Sequence, residues 1–149
     1  MSNYGKMKTK ETTLTHSIDL TVRFSELDPL GMVWHGNYAR YLEDAREAWG
    51  RHYGLGYMDM YKHGFAAPLY DLQLHYRGRA TLNERLRVTI TYCDAAEGRL
   101  VFRYQITNAQ TGELVLTAES LQLFITLEGV FWPAAPDFYL EWKKSHGLC

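Results

Sequence analysis

Cysteine is almost missing from this chain. Its 149 residues include two, Cys93 and Cys149, and the second is the last residue. That pair cannot build a disulfide framework or the ligand spacing of a zinc site. The fold must therefore come from apolar burial, and a chain of this length buries roughly 68–70% of its unfolded surface. Long apolar runs are also lacking. None approaches the ~20 residues of a membrane-spanning helix, and Met1 to Thr13 is polar, without the apolar centre of a secretory signal. A soluble, reducing, cytoplasmic setting is the expectation. Charge of one sign is missing too: 16 Lys and Arg against 17 Asp and Glu give a net charge of −1. This excludes nucleic acid as a bulk electrostatic partner. No internal repeat, linker or low-complexity segment interrupts the chain. Gly54-Leu55-Gly56 lacks the surrounding glycines of a phosphate loop and reads as a helix end.

Aromatics are plentiful at 14%, with 11 Tyr and 4 Trp. Such residues fill cores and line pockets or subunit interfaces. Residues 1–13 read as a flexible lead-in and 14–149 as one domain. From Ile18 the pattern alternates, with Ile18, Leu20, Val22 and Phe24 inward, which predicts a half-buried strand. Ser25 to Gly36 breaks it with the turn chemistry of Asp28-Pro29 and Gly31. Asn37 is the expected N-cap of a helix. Tyr38, Tyr41, Leu42, Ala45, Ala48 and Trp49 then share one helical face. A short second helix is expected over Tyr57 to His63. After Pro68 the period returns to two: Leu72, Leu74, Tyr76; then Leu86 to Tyr92; then Leu100 to Ile106. Leu114 to Leu127 reads as a long central strand, and Pro136 opens a C-terminal helix. One long helix and a meander of strands have a single simple solution. It is an α+β fold in which an antiparallel sheet wraps around one central helix.

The stretch Asp28-Pro29-Leu30-Gly31-Met32-Val33-Trp34-His35-Gly36-Asn37-Tyr38 sets an acid between a strand and the start of that helix. A carboxylate there can attack an activated acyl group or activate water. The free N–H groups of the first helical turn can hold the oxygen that becomes negative. Spacing alone favours ordinary turn chemistry for Asp28. Gly31 serves either an unusual backbone angle or close ligand approach. His35 offers a backbone N–H, and its imidazole is held in reserve. Trp34 and Tyr38 are candidate pocket walls, Tyr38 also opening the core stripe. Glu43 lies ~140° around the helix from Tyr38. It is either a solvated residue pairing with Arg40 or Arg46, or one facing a partner subunit. Arg77, Arg79, Arg85 and Arg87 cluster along a loop and strand; they suit phosphate groups or simply protect a strand edge. Cys93 has no His–Asn setting that would make it a nucleophile.

Residues Arg23 to Tyr38, with His75-Tyr76-Arg77-Gly78-Arg79-Ala80-Thr81-Leu82-Asn83-Glu84 downstream, resemble hotdog-fold acyl-CoA thioesterases. The similarity is to the 4-hydroxybenzoyl-CoA thioesterase type, which includes the Tol–Pal-associated thioesterases. It implies hydrolysis of an acyl-CoA thioester with no metal or redox cofactor, coenzyme A entering only as part of the substrate. It implies a homodimer or homotetramer with sites at the subunit interface. Asp28 falls on the catalytic aspartate and the His35 N–H on the carbonyl-polarising donor. Gly31, Val33, Trp34, Tyr38 and Glu43 are the expected substrate-binding residues, Trp34 and Tyr38 along the acyl pocket, with Arg77 and Arg79 as candidate grips for the CoA phosphates. The sequence departs from the pattern at Glu26, Arg79-Ala80 and Asn83-Glu84. Two other functions stay open: hydrolysis of an acyl carrier protein thioester, and non-catalytic acyl-CoA binding or assembly. A hydratase is disfavoured, because its His-based motif has no counterpart here.

Overall fold

The computed structural model describes residues 8–148. Its strands are β1 (Thr9–Thr21), β2 (Phe65–Ala66), β3 (Leu69–Tyr76), β4 (Arg85–Ala95), β5 (Arg99–Asn108), β6 (Leu114–Leu123) and β7 (Ile125–Thr126). The helices are α1 (Tyr38–Tyr53), α2 (Tyr57–Lys62) and α3 (Asp137–Ser145). Alternating side chains drive the strands together. Leu86, Val88, Ile90 and Tyr92 of β4 face the same side as Leu100, Phe102, Tyr104 and Ile106 of β5, and all are buried. The result is a five-stranded antiparallel sheet in the order β1-β4-β5-β6-β3. It covers α1, as the sequence pattern predicts.

α1 buries Tyr38, Tyr41, Leu42, Ala45 and Trp49 against the sheet. Trp49 is the pivot. Its ring centroid lies 4.7 Å from Phe102 and 5.7 Å from both Tyr92 and Trp142, and its indole N–H donates to Leu14 O at 3.0 Å. One side chain thus joins the helix to β1, β4, β5 and α3. Gly54, at φ 74°, ends α1 as expected. Within α1, a Cβ on Gly50 would lie 2.6 Å from Gly56 Cα, so close backbone approach requires that glycine. No helix among the described residues is long and apolar enough to cross a membrane.

Four local expectations need correction. The lead-in was expected to run to Thr13, but β1 begins at Thr9 and pairs with the far end of β4. Thr12 Oγ1 donates to Tyr92 O at 2.7 Å where the register shifts, so polar residues hold this stretch in the sheet. Phe24 was expected inward and is 79% exposed. The strand stops at Thr21 because the Glu26 carboxylate accepts the Arg23 N–H at 2.8 Å and curls the chain into a 3₁₀ turn, Phe24–Glu26. Asn37 does not cap α1 through its side chain; a 3₁₀ turn over His35–Asn37 already carries helical geometry ahead of it. Finally, Leu114 to Leu127 is two strands. The chain breaks at the fully buried Phe124, and β7 pairs with β2 in a separate small sheet.

Candidate active site

The site is built on a tight hairpin. Leu27 and Val33 pair across it, the Asp28 N–H donates to Met32 O at 2.8 Å, and the Gly31 N–H donates to Asp28 O at 2.9 Å. A turn followed by a left-handed residue has this bonding pattern. Gly31 supplies the left-handed position at φ 77°. A Cβ there would meet no protein atom within 4 Å, so conformation calls for the glycine and close packing of the chain does not. Asp28 Oδ1 accepts the Leu30 N–H at 2.8 Å, an Asx turn. Its Oδ2 makes no hydrogen bond among the described residues. Turn chemistry and an available carboxylate oxygen therefore coexist in one half-buried side chain.

Three tethers fix this hairpin. The Val33 N–H donates to Ala80 O at 2.9 Å, and Met32 bridges to Thr81. Glu26 O accepts two donors, the Trp34 N–H and Asn37 Nδ2, both at 2.9 Å. That carbonyl ties the entry to the hairpin to the start of the helix. Glu26 itself is buried, with its carboxylate bonded to Arg23. The phenol of Tyr41 is held well above its usual range by burial first and by Glu26 second.

The helical segment begins at His35 with no side-chain cap. Trp34 O accepts the Asn37 N–H at 2.9 Å, while the His35 and Gly36 N–H groups find no acceptor among the described residues. These are the orphan donors of a helix start, and they carry partial positive charge. The Trp34 indole lies across Gly36: a Cβ on Gly36 would be 2.2 Å from Trp34 Cζ3. His35 packs between aromatic rings, 5.0 Å from Trp34 and 6.4 Å edge-on to Tyr76. Tyr38 is buried, edge-on to Tyr41 and Tyr76 at 5.8 Å each, and burial raises its phenol pKa.

The other candidates divide. Val33 is buried in the core, where it anchors the hairpin. Arg77 and Arg79 are exposed, make no ion pair among the described residues, and sit on the loop that holds Val33 and Met32 through Ala80 and Thr81. Arg87 is committed elsewhere, in a two-bond pair with Asp19 at 2.9 and 3.0 Å. Glu43 pairs with Arg46 at 2.7 Å and lines a cavity of about 470 Å³ between α1, α2 and the start of β3. That cavity includes no residue of the Asp28 hairpin. Cys93 is fully buried, and burial pushes its thiol up to about 11, which fits an inert side chain.

Sequence reasoning passed over several positions that hold the site. Glu84 accepts the Thr81 N–H at 2.6 Å, Thr81 Oγ1 at 2.7 Å and Asn108 Nδ2 at 2.8 Å, pinning the Arg77–Glu84 loop. The Thr81-x-x-Glu84 spacing was a readable signal for it. Tyr76 shares the period of Leu72 and Leu74, yet it is 50% exposed, and its hydroxyl donates to His35 O at 3.1 Å. Its partner is 41 residues away, and no local pattern carries that information.

Residues 22–142 match the model of the thioesterase-like superfamily. The chain belongs to that superfamily. Its relatives agree in sequence and shape. YneP of Bacillus subtilis (strain 168), assigned as an acyl-CoA thioesterase, is 30% identical over 131 residues, covering 85% of this chain and 94% of its own. The DHNA-CoA thioesterase of Staphylococcus aureus superimposes with a TM-score of 0.78 at 30% identity, covering 89% of each chain. The 4-hydroxybenzoyl-CoA thioesterase from Pseudomonas sp. strain CBS-3 has a TM-score of 0.75 at 20% identity, over 86% of this chain and 98% of that one, a likeness in fold alone. This thioesterase, a hydrolase of thioester bonds, has the hotdog fold.

Proposed function

We propose that this thioesterase hydrolyses acyl-CoA to a free carboxylic acid and CoA, with Asp28 as base or nucleophile and the His35 N–H as the donor to the thioester oxygen. One observation carries the reading. The hairpin that presents an uncommitted Asp28 oxygen is laced through Glu26 O to an uncapped helix start. Acid and oxyanion donors are thereby fixed relative to each other before substrate arrives, the preorganisation that makes such donors effective. The acyl-CoA substrate is supported by the relatives, one assigned to acyl-CoA and another named for a DHNA-CoA thioester.

Two routes suit the geometry. As a base, Asp28 takes a proton from water, and the hydroxide adds to the carbonyl carbon. The electron pair of the C=O bond moves to oxygen, beside the His35 N–H. Collapse re-forms the carbonyl and breaks the C–S bond, and the thiolate takes the proton back from Asp28. As a nucleophile, an Asp28 oxygen adds to the carbonyl and expels CoA thiolate, and water then cleaves the mixed anhydride. Neither route requires a bound metal or redox cofactor. Gly31 shapes the turn, Trp34 and Tyr38 flank the acyl group, and the exposed Arg77 and Arg79 meet the CoA phosphates.

We further propose a homodimer, assembled into tetramers or not, in a cytoplasmic setting. Among the described residues β3 pairs with β6 alone, which leaves its other edge open. A second copy added there would bring the α1 face bearing Glu43 toward the neighbouring subunit's site.

The decisive assay is thiol release from short, medium, long and aryl acyl-CoAs, with wild type and Asp28→Asn side by side. Asp28→Asn is expected to lose on the order of 10²–10⁴ in kcat with little change in KM. An undiminished kcat removes Asp28 from the mechanism. Turnover of acyl carrier protein thioesters alone would assign the Arg77–Arg79 loop to an acidic carrier. Thermal stabilisation by acyl-CoA without thiol release would make the domain a binding module.

A further inference from the structure

We infer that Tyr76 is a positioning residue of the oxyanion site: by donating its hydroxyl hydrogen to His35 O, it orients and polarises the peptide whose opposite end is the Gly36 N–H. This rests on the reading of the helix start given above, and it adds a second donor and the residue that tunes it.

The argument begins with the peptide group. His35 C=O and Gly36 N–H belong to one planar unit and point in opposite directions. A hydrogen bond accepted by the oxygen draws electron density toward it and leaves the N–H more positive, a cooperative strengthening of about 10–30% per bond. The Tyr76 hydroxyl lies 3.1 Å from His35 O. The Gly36 N–H at the other end has no acceptor among the described residues. The neighbouring unit, Trp34 C=O with His35 N–H, is held in the same manner by the Asn37 N–H at 2.9 Å. Both candidate donors thus have their carbonyl ends engaged and their N–H ends available.

Packing holds the phenol in place. The Tyr76 ring is edge-on to His35 at 6.4 Å and to the buried Tyr38 at 5.8 Å. The Trp34 indole packs on the Cα side of Gly36 and leaves little room for the residue to shift. Stability does not require the hydroxyl. Tyr76 is half exposed at the last position of β3, and water can replace its bond to His35 O. A bond that matters little for folding, set on the far end of the donor peptide, acts on the electronics of the site.

The size of the effect follows from what one donor contributes. Removing an oxyanion donor costs roughly 10²–10³ in kcat. Weakening it by about 10–30% then corresponds to about two- to eightfold. Tyr76→Phe keeps the ring packing and removes only the hydroxyl. It is expected to lower kcat by that factor with KM and Tm unchanged.

A spectroscopic measurement separates this role from a structural one. Benzoyl-CoA and octanoyl-CoA, each labelled with ¹³C at the carbonyl, are bound to Asp28→Asn, and the carbonyl stretch is read by infrared difference spectroscopy. The band is expected below its position in free solution. In Asp28→Asn/Tyr76→Phe the displacement should shrink. An unchanged displacement, or a Tyr76→Phe variant with wild-type kcat, overturns the role of Tyr76 and leaves the proposed function standing. A raised KM at constant kcat overturns it too, since the hydroxyl would then bind substrate directly. No displaced band for either ligand while Tyr76 is intact removes the helix-start donors, and the proposed function falls with them.

Discussion

Gly36 is the position where a single methyl group should separate activity from stability. Its φ is not in the left-handed region, so alanine meets no backbone strain there. The obstacle is the Trp34 indole. An alanine Cβ would lie 2.2 and 2.4 Å from two ring atoms, and the ring must retreat by about 1 Å or more to restore normal packing distances. Trp34 is already 49% exposed and can swing into water. Losing all remaining contact would uncover ~100 Å² and cost at most about 2.5 kcal/mol. Alanine in a helical position returns about 0.5–1 kcal/mol. With partial retreat the net cost is about 1 kcal/mol, a fall in Tm of roughly 2–4 °C for a domain of this size. Activity should suffer more, because the displaced indole disturbs both a proposed acyl-flanking side chain and the peptide that carries the Gly36 N–H. We expect Gly36→Ala to lower kcat/KM about tenfold, read by thiol release beside a calorimetric melt. Wild-type activity would refute the role of the Trp34–Gly36 contact, and a Tm loss beyond about 10 °C would refute the packing estimate.

Glu84→Ala removes the acceptor of three hydrogen bonds and should cost about 2–4 kcal/mol in urea unfolding. Because the same loop holds Val33 through Ala80, kcat should fall as well, and Glu84→Gln should restore part of both; equal stability of wild type and Glu84→Ala would refute the tether. His16 stacks on His52 at 4.6 Å, and burial first, then His52, lower its pKa. A depressed histidine pKa means that the unfolded chain binds more protons, so stability rises with pH. This contribution is complete above about pH 6.5 and is lost as the pH falls through the lower folded value. His16→Gln should therefore show a smaller fall in Tm between pH 7.5 and 5.5, and an identical slope would exclude the pair as its source.

The elements were legible where their periods are long and local. The apolar stripe from Tyr38 to Trp49, the alternation in β4 and β5, and Gly54 each depend on neighbours a few residues away, so sequence alone set the helix, most strands and the sheet-around-helix architecture. Asp28-Pro29 and Gly31 likewise announced their turn, because an Asx bond and a left-handed glycine act within four residues. Misreadings arose where another interaction outweighed the apolar or capping pattern. Phe24 continued the alternation of β1, yet Glu26 curled the chain and left it in solvent. Asn37 had the side chain of a cap, but its backbone is already helical, and its side-chain amide donates to Glu26 O instead. Leu114 to Leu127 looked continuous until Phe124 entered the core and β7 found β2.

Sequence by itself determined that this chain folds as one sheet-wrapped helix and places an acid before the helix start. Only the tertiary structure decided what surrounds that acid. Ala80 O, Glu26 O and the Tyr76 hydroxyl converge on Val33, Trp34, Asn37 and His35 from separations of up to 47 residues along the chain. The physical reason is one of range. Backbone periodicity is encoded within a few residues, whereas a main-chain carbonyl carries no side-chain signature and becomes a site partner only when folding brings it there.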